Sequence, residues 1–173
     1  LMQLSFQYDE QGQISGYQQG SIVGYTSIKD TATLNERLNH PLVRQGLPQD
    51  LVFMWDAKEM EDKNGLPVGL IYLHAIKVPS NGPMVSGKDI DYASLDDSQI
   101  GQFGVRMVMN DLGASKWEDM TRANLDKQVA ITMDKLVFSA PVVNDVMSTS
   151  SSITGRFTMA EATDLAGLLN AGA

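Results

Sequence analysis

The chain has 173 residues, no cysteine, and a formal net charge of −8 from 21 acidic and 13 basic side chains. It can form no disulfide, no thiolate metal site and no cysteine nucleophile, and an acidic chain without clustered Lys and Arg is a poor partner for nucleic acid. No stretch approaches the ~20 apolar residues of a membrane span and no signal-peptide pattern is visible, so the piece is expected to be soluble. The chain begins at Leu1 and stops at Ala173 within an expected helix, and it reads as part of a larger protein.

Met2, Leu4, Phe6 and Tyr8 alternate with polar residues, the period of a strand with one buried face, and Asp9 to Gly12 should end it. The Gln- and Gly-rich piece through Gly24 reads as a loop or a weak hairpin of low complexity. Asp30 or Thr31 can cap a short helix with Leu34 and Leu38 on one face, closed by Pro41, and a second helical turn should run to Gly46. Leu51, Phe53 and Trp55 alternate as a strand, Leu70 to Val78 is a second, and the two should pair antiparallel across a charged, solvated loop from Ala57 to Gly69.

Pro79 to Pro83 is a break of ordinary loop length, so residues 1–173 are expected to form a single domain with a possible internal break near 79–83. Asp89 to Leu95 reads as a turn-rich bridge, followed by a strand with Phe103, Val105, Met107 and Met109 on one face. Ser115 and Glu118 have capping-box spacing, which predicts a helix starting there and burying Trp117, Met120 and Leu125. Val129–Met133 and Leu136–Ser139 read as a hairpin turning at Asp134-Lys135, docked to that helix and ended by Pro141. Thr158 and Glu161 form a second capping box, before a stripe of Ala162, Leu165, Ala166 and Leu169 with Gly172 as the left-handed cap. The order predicts an α+β fold, a largely antiparallel sheet with helices packed on one face.

Candidate chemistry is sparse. His40 and His74 have no neighbouring ligand pattern and read as a helix-end residue and a half-buried sheet residue. Asp89, Asp91, Asp96 and Asp97 lack the order of a calcium loop and read as a solvated turn, and Ser148 to Ser152 lacks a nucleophile elbow and reads as a flexible loop. Gly82, Gly87, Gly101, Gly104 and Gly113 form no phosphate cradle and read as turn residues. Thioethers on flexible stems suit surfaces that accept varied apolar partners. Met107, Met109, Met120 and Met133 fall on expected core faces; Met54 and Met84 are not so assigned and are taken as the candidates for substrate binding. No catalytic residue, cofactor site or metal site is expected, and the chain is read as non-enzymatic.

The run Lys116–Leu125, then Gln128–Ile131, Val137–Pro141, Ile153–Leu165 and Leu168–Ala173 resembles the first periplasmic (P1) domain of SecD. Gly24–Thr31, Asn35 with Leu38, Leu47–Leu51, Phe53, Trp55 and Ala75–Lys77 extend the likeness to the head region of fused SecDF proteins of the Bacteroides type. The resemblance implies a soluble periplasmic head of an integral inner-membrane, RND-superfamily export subunit. Such a subunit uses the proton gradient to help draw out preproteins, with relay residues in membrane helices outside this chain. It also implies as partners the unfolded preprotein and, through the full-length protein, the SecYEG channel and other Sec accessory subunits. The alternative is a structural docking or spacer module of an export or RND-like complex that never touches substrate. Where many relatives have Asp-Gly at the hairpin tip this chain has Asp134-Lys135, and where many have Gly-Gly before Ile153 it has Ser148–Ser152. Because lysine tolerates positive φ poorly, the tip is expected to adopt a different turn.

Overall fold

The structure, a computed structural model, describes residues 3–4, 6–8, 14–17, 20–99 and 102–171. In chain order the elements begin with β1 (Gln3–Leu4), β2 (Phe6–Tyr8), β3 (Ile14–Tyr17), β4 (Ile22–Ser27), α1 (Thr31–Leu38), α2 (Pro41–Arg44), β5 (Leu51–Asp56) and β6 (Leu70–Lys77). They continue with β7 (Ile90–Gln99), β8 (Gln102–Met109), α3 (Asp111–Ala123), β9 (Ile131–Met133), β10 (Leu136–Ser139), β11 (Ser150–Phe157) and α4 (Met159–Asn170). The fold is α+β, with sheets that are largely antiparallel. The expectations for Met2, for the turn at Asp9 to Gly12, for Gly101 and for the Gly172 cap lie outside the described residues.

The chain divides into two compact units, Leu1–Ser80 with Ile131–Phe138, and Asn81–Ala130 with Ser139–Ala173. In the first unit a six-stranded sheet runs β1-β4-β6-β5-β10-β9, beside a small ribbon of β2 and β3. In the stretch before Gly24, read as a loop or a weak hairpin, β3 pairs antiparallel with β2, and Ile22–Ser27 pairs antiparallel with β6. Strands β5 and β6 pair antiparallel as expected, with Trp55 opposite Leu73 and Met54 opposite His74. Adjacent strand residues point to opposite faces, so the burial of both Leu73 and His74 shows that β6 is covered on both sides. Asn35 of α1 accepts a 3.0 Å hydrogen bond from Trp55 Nε1, which ties that helix to the Trp55 and Leu73 face. Pro41 opens α2, where its missing N–H costs nothing, and the His40 ring accepts from Leu42 N.

The hairpin departs from the sequence expectation in two ways. Its second strand lies parallel to β5, with Leu136 beside Trp55, so Ile131–Phe138 belongs to the first unit whereas α3 belongs to the second. Its partner is a sheet edge, which satisfies ladder groups that a helix surface leaves open. At the tip, Asp134 and Lys135 both take positive φ, 50° and 64°. That is the I′ arrangement a two-residue hairpin selects to match strand twist, and pairing overrides the lysine's reluctance. Lys135→Gly is therefore expected to stabilise the chain by about 0.5 kcal/mol, the relief of left-handed strain exceeding the added unfolded-state entropy. Urea denaturation would check the sign.

In the second unit β11, β8 and β7 form an antiparallel three-stranded sheet. Alternation on β8 buries Val105, Met107 and Met109, and the α4 stripe of Ala162, Leu165, Ala166 and Leu169 is buried with them. The Thr158–Glu161 capping box closes in both directions, with Thr158 N donating to Glu161 Oε2 at 2.8 Å and Glu161 N to Thr158 Oγ1 at 3.2 Å. The other predicted box does not form. Asn110 Oδ1 takes Gly113 N at 2.9 Å, so α3 starts at Asp111, one turn before Ser115. Met120 and Thr121 are buried as that face requires, but Leu125 lies past the helix end, 40% exposed.

Asp89 to Leu95 is not a turn-rich bridge: a short 3-10 turn, Gly87–Asp89, leads directly into β7. Ser150–Ser152 is not a flexible loop but the start of β11, because pairing to β8 supplies the order that serine propensity lacks. Gly104 and Gly113, read as turn residues, sit within β8 and α3.

Candidate functional site

Cross-strand register in the second unit places Asp96 of β7, Gly104 of β8 and Thr154 of β11 side by side, with Ser94, Arg106 and Ser152 in the next row. Gly104 has no side chain to fill the space between its neighbours, and a Cβ there would meet the Ile153 carbonyl oxygen at 2.7 Å. The Ser152 hydroxyl accordingly donates to Asp96 Oδ2 across the middle strand. Around this bridge opens a cleft of about 150 Å³ lined by Asp96, Ser98, Phe103, Gly104, Ser152 and Thr154. The Ser152 hydroxyl first, and then Ser98, hold the Asp96 carboxyl below the ordinary carboxylate value, with Arg106 adding to the effect. Asp96 is therefore an anionic hydrogen-bond acceptor at neutral pH, and the cleft has room for about one side chain.

The four acidic residues singled out earlier do not act as a group. Asp89 is 4% exposed: its Oδ2 accepts from Ser86 N at 2.8 Å, and its Oδ1 from Lys116 Nζ at 2.6 Å. It is a structural clamp rather than part of a solvated turn. Asp91 and Asp97 are exposed on β7. Among the described residues no group of three or more His, Asp or Glu side chains is placed to hold a metal ion.

His74, expected to be half-buried, is 4% exposed on the central strand of the first unit. Ser21 Oγ lies 2.9 Å from its Nδ1 and Asp56 Oδ2 lies 3.5 Å from its Nε2. A serine, a histidine and an aspartate in contact would by themselves invite a nucleophilic reading, but catalysis needs the base to reach a substrate proton, and this ring is enclosed by its own sheet. Its bonds satisfy a buried polar group. Met54 is half-buried on β5, and Met84 in the second unit is 44% exposed. Nothing in the sequence marked the cleft beside Gly104, because its walls come from three strands and its floor is the absence of a side chain.

A capped helix, α4, packed on the short antiparallel sheet of β7, β8 and β11, with a polar cleft beside Gly104, defines the second unit as an α+β module. Residues 74–173 match the family model described as SecDF, P1 head subdomain, and the chain belongs to that family. It is 34% identical over 159 residues to the protein translocase subunit SecD of Rhodothermus marinus, covering 90% of this chain and 24% of that one. SecD of Leptotrichia buccalis is 40% identical over 96 residues, 54% of this chain and 24% of that protein. A crystal structure of SecDF in its Super-membrane-facing form is 26% identical with a TM-score of 0.48, covering 86% of this chain and 17% of that one. The chain thus spans about a quarter of the length of these two SecD relatives. Among the described residues no helix is long and apolar enough to cross a membrane.

Proposed function

We propose that residues 1–173 act as one head-like periplasmic domain of a Sec translocation accessory subunit, and that this head transiently binds the unfolded preprotein during proton-gradient-driven export. The family match over residues 74–173 carries the reading. Apolar side chains held open to solvent in the second unit, Met84, Tyr92, Leu112 and Met159 among them, support it, since flexible and scattered apolar contacts suit weak binding of varied sequences. Met54 and Met84 are the proposed contact residues. The role is non-enzymatic: the head grips and releases, while the membrane-embedded parent couples protons and meets the SecYEG channel and its accessory subunits.

Photo-crosslinking side chains at Met84, Tyr92 and Met159 of the full-length protein, in intact membranes with a stalled preprotein, are expected to trap that preprotein. Trapping only of other export subunits would replace this reading with the docking-module one. Trapping of neither would overturn it.

A further inference from the structure

The two edges of the three-stranded sheet are treated differently. At β7 the carboxamide of Asn170 acts as a surrogate strand, Oδ1 accepting from Ala93 N at 2.6 Å and Nδ2 donating to Ala93 O at 2.8 Å. Asp91, Asp96 and Asp97 add charge along the same strand. Such devices are how natural sheets prevent an edge from recruiting another chain. Strand β11, the opposite edge, has none of them across Ser150–Thr154, which contains no proline and no charged residue.

The geometry of that edge follows from its pairing. Met109 N donates to Thr149 O at 2.8 Å, and Ser151 and Ile153 continue the same register opposite Met107 and Val105. Antiparallel pairs alternate, so Ser151 and Ile153 turn their backbone groups toward β8, while Ser150, Ser152 and Thr154 turn theirs away from it. The side chains of those three residues are exposed, whereas those of Ser151 and Ile153 are buried. The cleft beside Gly104, walled by Ser152 and Thr154, lies on the sheet face next to this edge.

From this asymmetry we infer that an extended polypeptide segment adds to the second unit as a strand along Ser150–Thr154, with one of its side chains seated in the cleft against Asp96. The inference rests on the preprotein-binding reading and deepens it by naming the surface. An extended backbone is the ligand that presents alternating N–H and C=O groups at strand spacing, and main-chain bonding gives affinity without demanding a particular sequence. A cleft that holds one side chain beside a carboxylate adds a bias toward small, hydrogen-bonding or cationic residues at one position.

The test compares Ser152→Pro with Ser152→Ala in the 173-residue chain. Proline removes the outward N–H without touching the bonds of Ser151 and Ile153 to β8, and both variants lose the hydroxyl that reaches Asp96. The probe is a fluorescent, reduced and carboxymethylated α-lactalbumin, titrated by anisotropy. Binding should weaken at least tenfold in Ser152→Pro and stay within about threefold of the parent chain in Ser152→Ala. Equal binding by all three would overturn the edge while leaving preprotein binding intact, and no binding by the parent chain would overturn both. If Ser152→Pro does not fold, amide exchange on the parent chain decides: saturating probe should protect Ser152 and Thr154, and unchanged exchange there defeats the inference. A parent chain that sediments as a dimer, Ser152→Pro as a monomer, and neither binding probe would make the edge a self-association surface and overturn the inference.

Discussion

Replacing Gly113 with alanine should destabilise the second unit by on the order of 3 kcal/mol or more, although the same change inside an ordinary helix is worth about 1 kcal/mol in the opposite direction. The added Cβ would lie 2.0 Å from the carbonyl oxygen of Asp89 and 2.9 Å from its Cβ, distances that no side-chain adjustment can relieve because the nearest obstacle is backbone. The approach is held from both sides. Asn110 N donates to that same carbonyl at 3.0 Å, and Asn110 Nδ2 donates to Lys88 O at 2.8 Å while its Oδ1 caps the helix at Gly113 N. To admit a methyl group, α3 must retreat from the turn and surrender these bonds. Guanidinium denaturation of Gly113→Ala beside an exposed control such as Ala123→Gly would show both signs. A neutral or stabilising result at Gly113 would mean that the helix does not meet the turn this closely.

Lys116→Met is the second large effect, expected to cost about 3 kcal/mol at pH 7. The substitution keeps much of the aliphatic stem but leaves the buried Asp89 carboxylate without its cation, and breaking a buried pair exposes the desolvation cost that the partner had offset. Lys116 itself is 41% exposed, so the reverse change is milder for the lysine than for the aspartate. The hydrogen bond from Lys116 is the largest cause holding the Asp89 carboxyl below its ordinary value, and Ser86 contributes through its backbone N–H and its hydroxyl. The sign follows from linkage: a carboxyl with a depressed folded-state pKa contributes stability that is complete above its unfolded pKa near 4. That contribution is lost as the pH falls through the folded-state value. The gap between parent chain and Lys116→Met should accordingly be widest at neutral pH and narrow below about pH 4. Denaturation curves at pH 7 and pH 3 measure it, and a gap that is the same at both would show that the charge of Asp89 is not what Lys116 stabilises.

Both predictions concern a place that the sequence describes poorly. Ser86, Asp89, Asn110, Gly113 and Lys116 are scattered over 31 positions, and each has an unremarkable local reading: a loop polar residue, an acidic turn, a strand end, a turn glycine, a helix lysine. The box at Ser115 and Glu118 drew the helix start to the wrong turn because spacing alone cannot tell a used cap from an unused one. Where local pattern and tertiary pairing agreed, the reading held. The antiparallel pair of β5 and β6, the buried face of β8, and the box and stripe of α4 were all legible, since each is enforced by periodicity within one element.

The hairpin marks the limit of that rule. Its strands and two-residue turn are written in Ile131–Ser139, but its side-by-side parallel pairing with β5 is not, because β-branched residues fit any pleated neighbour equally well. The cleft and the open β11 edge belong to the same class, as they exist only once three strands from different parts of the chain are in register.

Family membership, the α+β class, and the stretches that bury their apolar faces were determined by the amino-acid order alone, because helix and strand periods and a long ordered likeness are local or additive properties. Which strand the hairpin joins, where Asp89 finds its cation, and which sheet edge Asn170 seals were decided only by the folded chain. Those choices depend on groups tens of residues apart arriving within hydrogen-bond distance, and no local pattern records who the distant partner is.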